Sequence, residues 1–176
     1  GLYQFAQLFV ISNGVNTKYY SNTVGYNNTK KESFKFTSFW ADKENKKISE
    51  LEDFAKVFLE KCHLAKMITK YMVLTTDKTL LALRPYQYYA VESIVDRVIN
   101  GKQGGYIWHT TGSGKTLTSF KASQILVENP DVYKVVFVVD RKGLDFHTMK
   151  EYQRFSPDSV NGSNNTADLK KKLDGD

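Results

Sequence analysis

An α/β fold, with a parallel-sheet lobe in the C-terminal half, is the class this sequence predicts, and three observations there predict it. A short apolar stretch, Tyr106-Ile107-Trp108, runs into a glycine-containing loop. The residues after that loop keep helical spacing to about Glu128, where Asn129-Pro130 stops them. Next comes Val135-Val136-Phe137-Val138-Val139, apolar without alternation, as a strand covered on both faces of a parallel sheet requires. Strand, loop, helix and strand in that order make a βαβ unit.

The elements before it follow from the same kind of reading. Leu8-Phe9-Val10-Ile11 and Lys18-Tyr19-Tyr20 flank Asn13-Gly14, a pair that tolerates positive φ at both turn positions, so a hairpin is expected. Residues 21–32 are rich in Asn, Thr and Lys and read as an exposed loop. Phe34 and Phe36 alternate with polar neighbours ahead of Ser38-Phe39-Trp40, which predicts another strand. Ser49-Glu50-Leu51-Glu52 has the form of a capping box, each end serving the other's free amide. Leu51, Phe54, Ala55, Phe58, Leu59, Cys62 and Ala65 then share one face of a single amphipathic helix, with Cys62 as core filling. Thr75-Thr76-Asp77-Lys78-Thr79 reads as a connector, and a domain boundary is placed at Asp77. Arg84-Pro85 opens the next helix, because proline at the first helical position forfeits no needed amide bond; Gly101 ends it after Asn100.

Composition sets the outer limits. With 176 residues, 41% hydrophobic and 14% aromatic, the chain can bury a core and is not disordered overall. Its net charge of +6 hints mildly at a polyanionic partner and fits a plain basic protein equally well. Cys62 is the only cysteine, which excludes an internal disulfide and a Cys-based zinc site and fits a reducing, cytoplasmic setting. No apolar run approaches a membrane span, and no charged start followed by an apolar core suggests a signal peptide. The chain opens on Gly1-Leu2-Tyr3 without an initiator Met and is read as a piece of a longer polypeptide.

The chemistry concentrates in His109-Thr110-Thr111-Gly112-Ser113-Gly114-Lys115-Thr116, between a strand and a helix. Glycines let such a backbone curl its amides around phosphate oxygens, and the helix start adds its positive dipole end. Lys115 can reach the β- and γ-phosphates, and the Thr116 hydroxyl can ligate Mg²⁺. His109 stands where the usual pattern has its first glycine, so strand and helix context carry the assignment as a nucleotide-binding P-loop. Upstream, the Gln87 amide offers the paired donor and acceptor that match an adenine edge; it could also be an ordinary first-turn glutamine. Downstream, Asp140 could hold Mg²⁺ at the end of a buried strand. A catalytic pair would want a second acid next door, whereas Arg141 is basic, which favours Asp140-Arg141 as a contact to a nucleic-acid backbone over a Mg²⁺ site or a plain surface loop.

Leu83-Arg84-Pro85-Tyr86-Gln87, the loop from His109 to Thr116, and Val138-Val139-Asp140-Arg141 resemble the opening motifs of superfamily 2 helicases. Their wording is that of the motor subunits of type I restriction enzymes. Gln7-Leu8-Phe9-Val10-Ile11-Ser12-Asn13-Gly14 and Lys61-Cys62-His63-Leu64-Ala65 resemble the same family, so the likeness covers nearly the whole chain. The resemblance implies that residues 1–77 are the C-terminal part of a nuclease domain with its linker. Residues 78–176 would be the N-terminal part of the first RecA-like motor lobe, its parallel sheet carrying the P-loop. It implies that Gln87 reads adenine, that Thr111, Gly112, Ser113, Gly114, Lys115 and Thr116 bind ATP with Mg²⁺ on Thr116, and that Asp140 and Arg141 begin a DNA-tracking element. The implied partners are double-stranded DNA and the modification (methyltransferase) and specificity subunits. The implied activity is a type I site-specific deoxyribonuclease driven by a DNA-dependent ATPase. The nuclease carboxylates and the acid pair that activates water would lie outside these residues, leaving this piece inactive alone. Glu44-Asn45-Lys46 has the letters of a nuclease motif but sits in a charged loop, where a solvated turn is expected. The alternatives are another superfamily 2 DNA-dependent ATPase and a nucleotide-binding interaction module without catalysis.

Overall fold

Asn13 and Gly14 start the first element by turning the chain. The Asn13 side-chain oxygen accepts the amides of Val15 and Asn16 at 3.3 and 2.8 Å, and Gly14 takes a φ of 94°. The turn pairs β1 (Leu8–Ser12) with β2 (Thr17–Ser21) antiparallel, Leu8 opposite Ser21 and Ser12 opposite Thr17. The computed structural model describes residues 2–22, 36–101, 104–139, 142–163 and 165–174. Phe34 and most of the loop expected over 21–32 therefore lie outside the described residues. Ser38 exchanges both backbone hydrogen bonds with Tyr19 at 2.9 Å, giving β2 a second neighbour. The chain then forms β3 (Trp40–Ala41), paired antiparallel with β4 (Lys47–Ile48). Between these strands the Asp42 carboxylate accepts the amides of Glu44 and Lys46 at 3.0 and 2.8 Å, and Asn45 sits at φ 62°. Glu44-Asn45-Lys46 is the exposed turn expected of it.

The next stretch corrects three expectations. α1 (Leu51–Phe58) starts without any side-chain cap: its Leu51 amide donates to the Gly14 carbonyl at 2.9 Å, and the Ser49 carbonyl accepts from Thr17. The hairpin turn thus satisfies the helix start through its backbone, and Ser49 and Glu52 form no capping box. Nor is the helix single. It breaks at Leu59-Glu60, and the Glu60 carboxylate caps α2 (Lys61–Lys70) by accepting the His63 amide at 2.8 Å. Hydrogen bonds from the Cys62 and His63 amides hold the Glu60 carboxyl below its usual range. The break resets the helical phase, so Phe54, Phe58 and Met67 are buried while Cys62 is exposed and not core filling.

β5 (Met72–Leu74) and β6 (Leu80–Ala82) form a third antiparallel pair, Met72 opposite Ala82. Thr75-Thr76-Asp77-Lys78-Thr79 is the tight turn between them: the Thr75 hydroxyl bonds the Asp77 carboxylate and accepts the Thr79 amide at 3.0 Å. That hydroxyl, with the Arg154 guanidinium 3.3 Å away, holds the Asp77 carboxyl down at about 2. α3 (Pro85–Asp96) begins at proline as expected and ends in a π-helical turn over Arg97–Gly101. α4 (Lys115–Val127), α5 (Lys142–Phe155) and α6 (Thr166–Asp174) complete the described elements.

The architecture is mixed α/β, and the described strands are antiparallel, in three two-stranded sheets. The segments expected as parallel strands, 106–108 and 135–139, have no ladder among the described residues. Trp108 is 88% exposed and Val138 is 85% exposed. Burial of such a run requires paired strands along its edges and helices over its faces, and among the described residues it has no strand partner.

The main core joins residues from both sides of Asp77: Tyr19, Trp40, Phe54, Phe58, Met67 and Tyr71 pack with Leu83, Tyr88, Val91 and Ala122. Trp40 and Phe58 meet edge to face at 5.0 Å, and Tyr19 lies 4.6 Å from Phe58. Each fully buried ring of this kind stabilises by roughly 1.5–3 kcal/mol through area alone, with more from ring geometry. A second cluster of Val73, Phe120, Tyr152 and Phe155 seats α5 against α4 and β5. Lys121 of α4 is also buried, only 5% exposed. Its ammonium donates to the Met72 carbonyl at 3.0 Å and to the Gln124 side chain at 2.8 Å, and burial pulls its pKa down to about 8.

Candidate functional site

The loop before α4 has the backbone that its glycines allow. Gly112 takes φ 76° and Gly114 φ 79°, both in the left-handed region that side chains oppose. Gly114 is the N-cap of α4, and its carbonyl accepts the Thr118 amide at 3.1 Å, which starts the helix. The loop is closed on itself by Ser113, whose hydroxyl donates to the Thr110 carbonyl at 2.7 Å. Lys115, the first residue of α4, turns its ammonium back over the loop to the carbonyls of His109 and Thr110, at 3.2 and 2.9 Å. Cation, helix N-terminus and left-handed glycines are therefore within one turn of each other. Oriented this way they favour an anion.

α3 braces the loop from behind. The Ser113 carbonyl accepts two side-chain bonds, from Gln87 Nε2 and from the Tyr86 hydroxyl, each at 3.0 Å. Gln87 is 5% exposed, and its oxygen accepts the Arg84 amide at 3.0 Å. The space a Cβ on Gly114 would need is filled by Gln87 Nε2, so glycine is required there for contact as well as for φ. The His109 ring packs edge-on against Tyr86 at 5.7 Å. Partial burial first, then the Lys115 charge, lowers its pKa. A hollow of about 160 Å³ opens between the loop and helices α3 and α4, lined by Ile94, Ile107, His109, Lys115, Thr118 and Ser119. A larger hollow of about 370 Å³ lies elsewhere, between the β3–β4 turn and α1, on residues 42–57.

Residues 86–176, slightly more than half the chain, match the SWI2/SNF2 ATPase family. Over 98% of its length the chain is 53% identical to the endonuclease subunit of a type I restriction enzyme from Staphylococcus saprophyticus. It is 48% identical, again over 98%, to the corresponding subunit from Staphylococcus aureus strain COL. A type I restriction enzyme endonuclease subunit, C-terminal part, from Mycoplasma pneumoniae is 47% identical across 76% of this chain and 70% of its own length. The chain belongs to the family of type I restriction enzyme endonuclease subunits. It spans about 18% of the length of the two staphylococcal relatives.

Within this restriction subunit segment, the structure brings Gln87, Ser113, Gly114 and Lys115 together, with Thr111, Gly112 and Thr116 on the same turn. Asp140 and Arg141 lie outside the described residues. Among the described residues no cluster of His, Cys, Asp and Glu could hold a metal ion by itself. No described helix is long and apolar enough to cross a membrane. The sequence reading overlooked Tyr86 and Lys121. Tyr86 stands next to Gln87 on the first turn of α3, so its hydroxyl could have been paired with the same target. Nothing in the sequence marks Lys121, because a lysine in the middle of a helix ordinarily faces water.

Proposed function

We propose that this segment contributes the ATP-binding loop of a subunit that couples ATP hydrolysis to translocation along double-stranded DNA and to DNA cleavage. The observation that carries the proposal is the Lys115 ammonium poised over a loop of two left-handed glycines at the start of α4. That arrangement fits a polyphosphate: it offers a point cation, helix-start amides and, at Gly112, open space on the side a Cβ would occupy. Lys115 would leave the loop carbonyls for the β- and γ-phosphates, and the Thr116 hydroxyl would hold Mg²⁺. The ion, when bound, neutralises charge that builds on the phosphates. Ser113 and Thr111 shape the cradle. Gln87 retains one N–H and one lone pair beyond its two bonds, and these are what it would offer to adenine.

The 160 Å³ hollow is below the roughly 300 Å³ of a typical small-molecule site, which supports a cradle for phosphates completed by walls from a second lobe. Residues 78–176 would form the N-terminal part of a RecA-like motor lobe, with 106–108 and 135–139 entering a parallel sheet. Residues 1–77 would be the C-terminal part of the nuclease domain and its linker. Asp140 and Arg141 would begin the element that tracks DNA. Modification and specificity subunits would supply methylation and the recognition sequence. In the full-length subunit, Mg²⁺-dependent ATP binding is expected to be lost in Lys115→Ala while subunit assembly persists. Unchanged binding in that variant would refute the assignment.

A further inference from the structure

Hydrogen bonds and one peptide unit connect the glycine loop to the N-terminal hairpin without a gap. At the loop, the Ser113 carbonyl accepts from Gln87 Nε2 at 3.0 Å. The oxygen of the same amide accepts the Arg84 N–H at 3.0 Å. The carbonyl of the peptide unit that carries this N–H belongs to Leu83, and it accepts the Tyr19 hydroxyl of β2 at 2.7 Å. Most of this line is enclosed: Tyr19 is 1% exposed, Gln87 5% and Leu83 0%, while the Ser113 end is half-buried. Water is kept from the Tyr19–Leu83 bond, and polar groups linked in series through a low-dielectric interior polarise one another. Trp40 and Phe58 hold the Tyr19 ring at 5.8 and 4.6 Å, so the phenol is fixed in place. Burial also raises its pKa far above any working pH, so the hydroxyl is a permanent donor.

We propose that Tyr19 is a positioning residue for the nucleotide loop: acting through Leu83-Arg84 and Gln87, it sets the shape of Gly112–Thr116, so the β1–β2 hairpin regulates the loop's affinity for ATP. The inference rests on the nucleotide-binding reading above. Because coupling between sites is reciprocal, a nucleotide that reshapes the loop alters how firmly the hairpin is held at Leu83. A second bond gives an internal control. The Ser21 hydroxyl also ties β2 to the β6 backbone, donating to the Leu80 carbonyl at 2.6 Å, but that bond does not lead to Gln87.

The test uses the full-length subunit and its equilibrium dissociation constant for Mg·ATP, read by competition with a fluorescent ATP analogue. Tyr19→Phe keeps the ring and removes the hydroxyl, and is expected to weaken ATP by about threefold to tenfold, the worth of one net buried hydrogen bond. Ser21→Ala is expected to leave the affinity unchanged. In a Gln87→Ala background, Tyr19→Phe is expected to have no further effect, since the connection is already cut. Wild-type affinity in Tyr19→Phe, an equal loss in Ser21→Ala, or a Tyr19→Phe effect that persists without Gln87 would each overturn the proposal. ATP binding that is indifferent to Lys115→Ala would instead remove the nucleotide reading, and this inference with it.

Discussion

Alanine placed at each of the two loop glycines separates the cost of backbone conformation from the cost of contact. Gly112 and Gly114 have nearly the same φ, 76° and 79°, so each substitution pays about 1–2 kcal/mol for a side chain in the left-handed region. Around Gly112 nothing lies within 4 Å of the added carbon, and the cost ends there. At Gly114 the added carbon collides with Gln87 Nε2. The amide must then give up its 3.0 Å bond to the Ser113 carbonyl, which adds about 1 kcal/mol. The totals are about 1–2 kcal/mol for Gly112→Ala and about 2–3 kcal/mol for Gly114→Ala. Hydrogen–deuterium exchange of the Thr118 amide, the first one bonded into α4, reads this local stability directly in the full-length subunit. Exchange there is expected to speed up by roughly 30- to 150-fold in Gly114→Ala, and by about 5- to 30-fold in Gly112→Ala. Equal acceleration in the two variants would refute the claim that Gln87 braces the loop through Gly114.

Three further outcomes are expected. Gln87→Ala removes the proposed adenine contact and should weaken ATP by about 1–3 kcal/mol relative to GTP, as competition binding would show. Arg141→Ala should lower DNA-stimulated ATP hydrolysis, spare ATP binding and flatten the salt dependence of DNA affinity; if only Asp140→Asn has an effect, on Mg²⁺-dependent nucleotide binding, Asp140 is a metal ligand instead. Lys121 has its pKa lowered to about 8 from 10.5, so the folded state holds this proton less tightly than the unfolded one. Stability should therefore rise as pH increases from about 8 to 10.5, by up to about 3 kcal/mol, and urea denaturation should show that rise missing in Lys121→Met.

Where local chemistry decides, the sequence was a good guide. Asn13-Gly14 makes the hairpin it implies, Pro85 starts α3, and Gly112 and Gly114 take the left-handed conformation that is open to glycine. Glu44-Asn45-Lys46 is a turn because Asp42 gathers its amides. Expectations failed where two local signals competed. The apolar spacing from Leu51 to Ala65 fits one helix, but Glu60 can cap a new one, and its bond to the His63 amide divides the run and exposes Cys62. Ser49 and Glu52 spell a capping box that is not needed, since Gly14, distant in sequence, meets the Leu51 amide first. Long-range partners were illegible altogether. No periodicity reveals that Tyr19 reaches Leu83, that Lys121 reaches Met72, or that Gln87 turns its amide toward Ser113. The apolar run 135–139 has the composition of a buried strand, but a strand's burial is a property of its neighbours, and composition cannot supply them.

The loop ending in Lys115 and Thr116 is proposed to power movement on DNA. Its most direct test is ATP hydrolysis by the full-length subunit, assembled with its partners on double-stranded DNA, comparing wild type with Lys115→Ala. Removing the ammonium should abolish DNA-stimulated hydrolysis and translocation together, since a cation aimed at the developing phosphate charge is commonly worth several kcal/mol of transition-state stabilisation. Hydrolysis at the wild-type rate in Lys115→Ala would contradict the account and place the ATP site elsewhere.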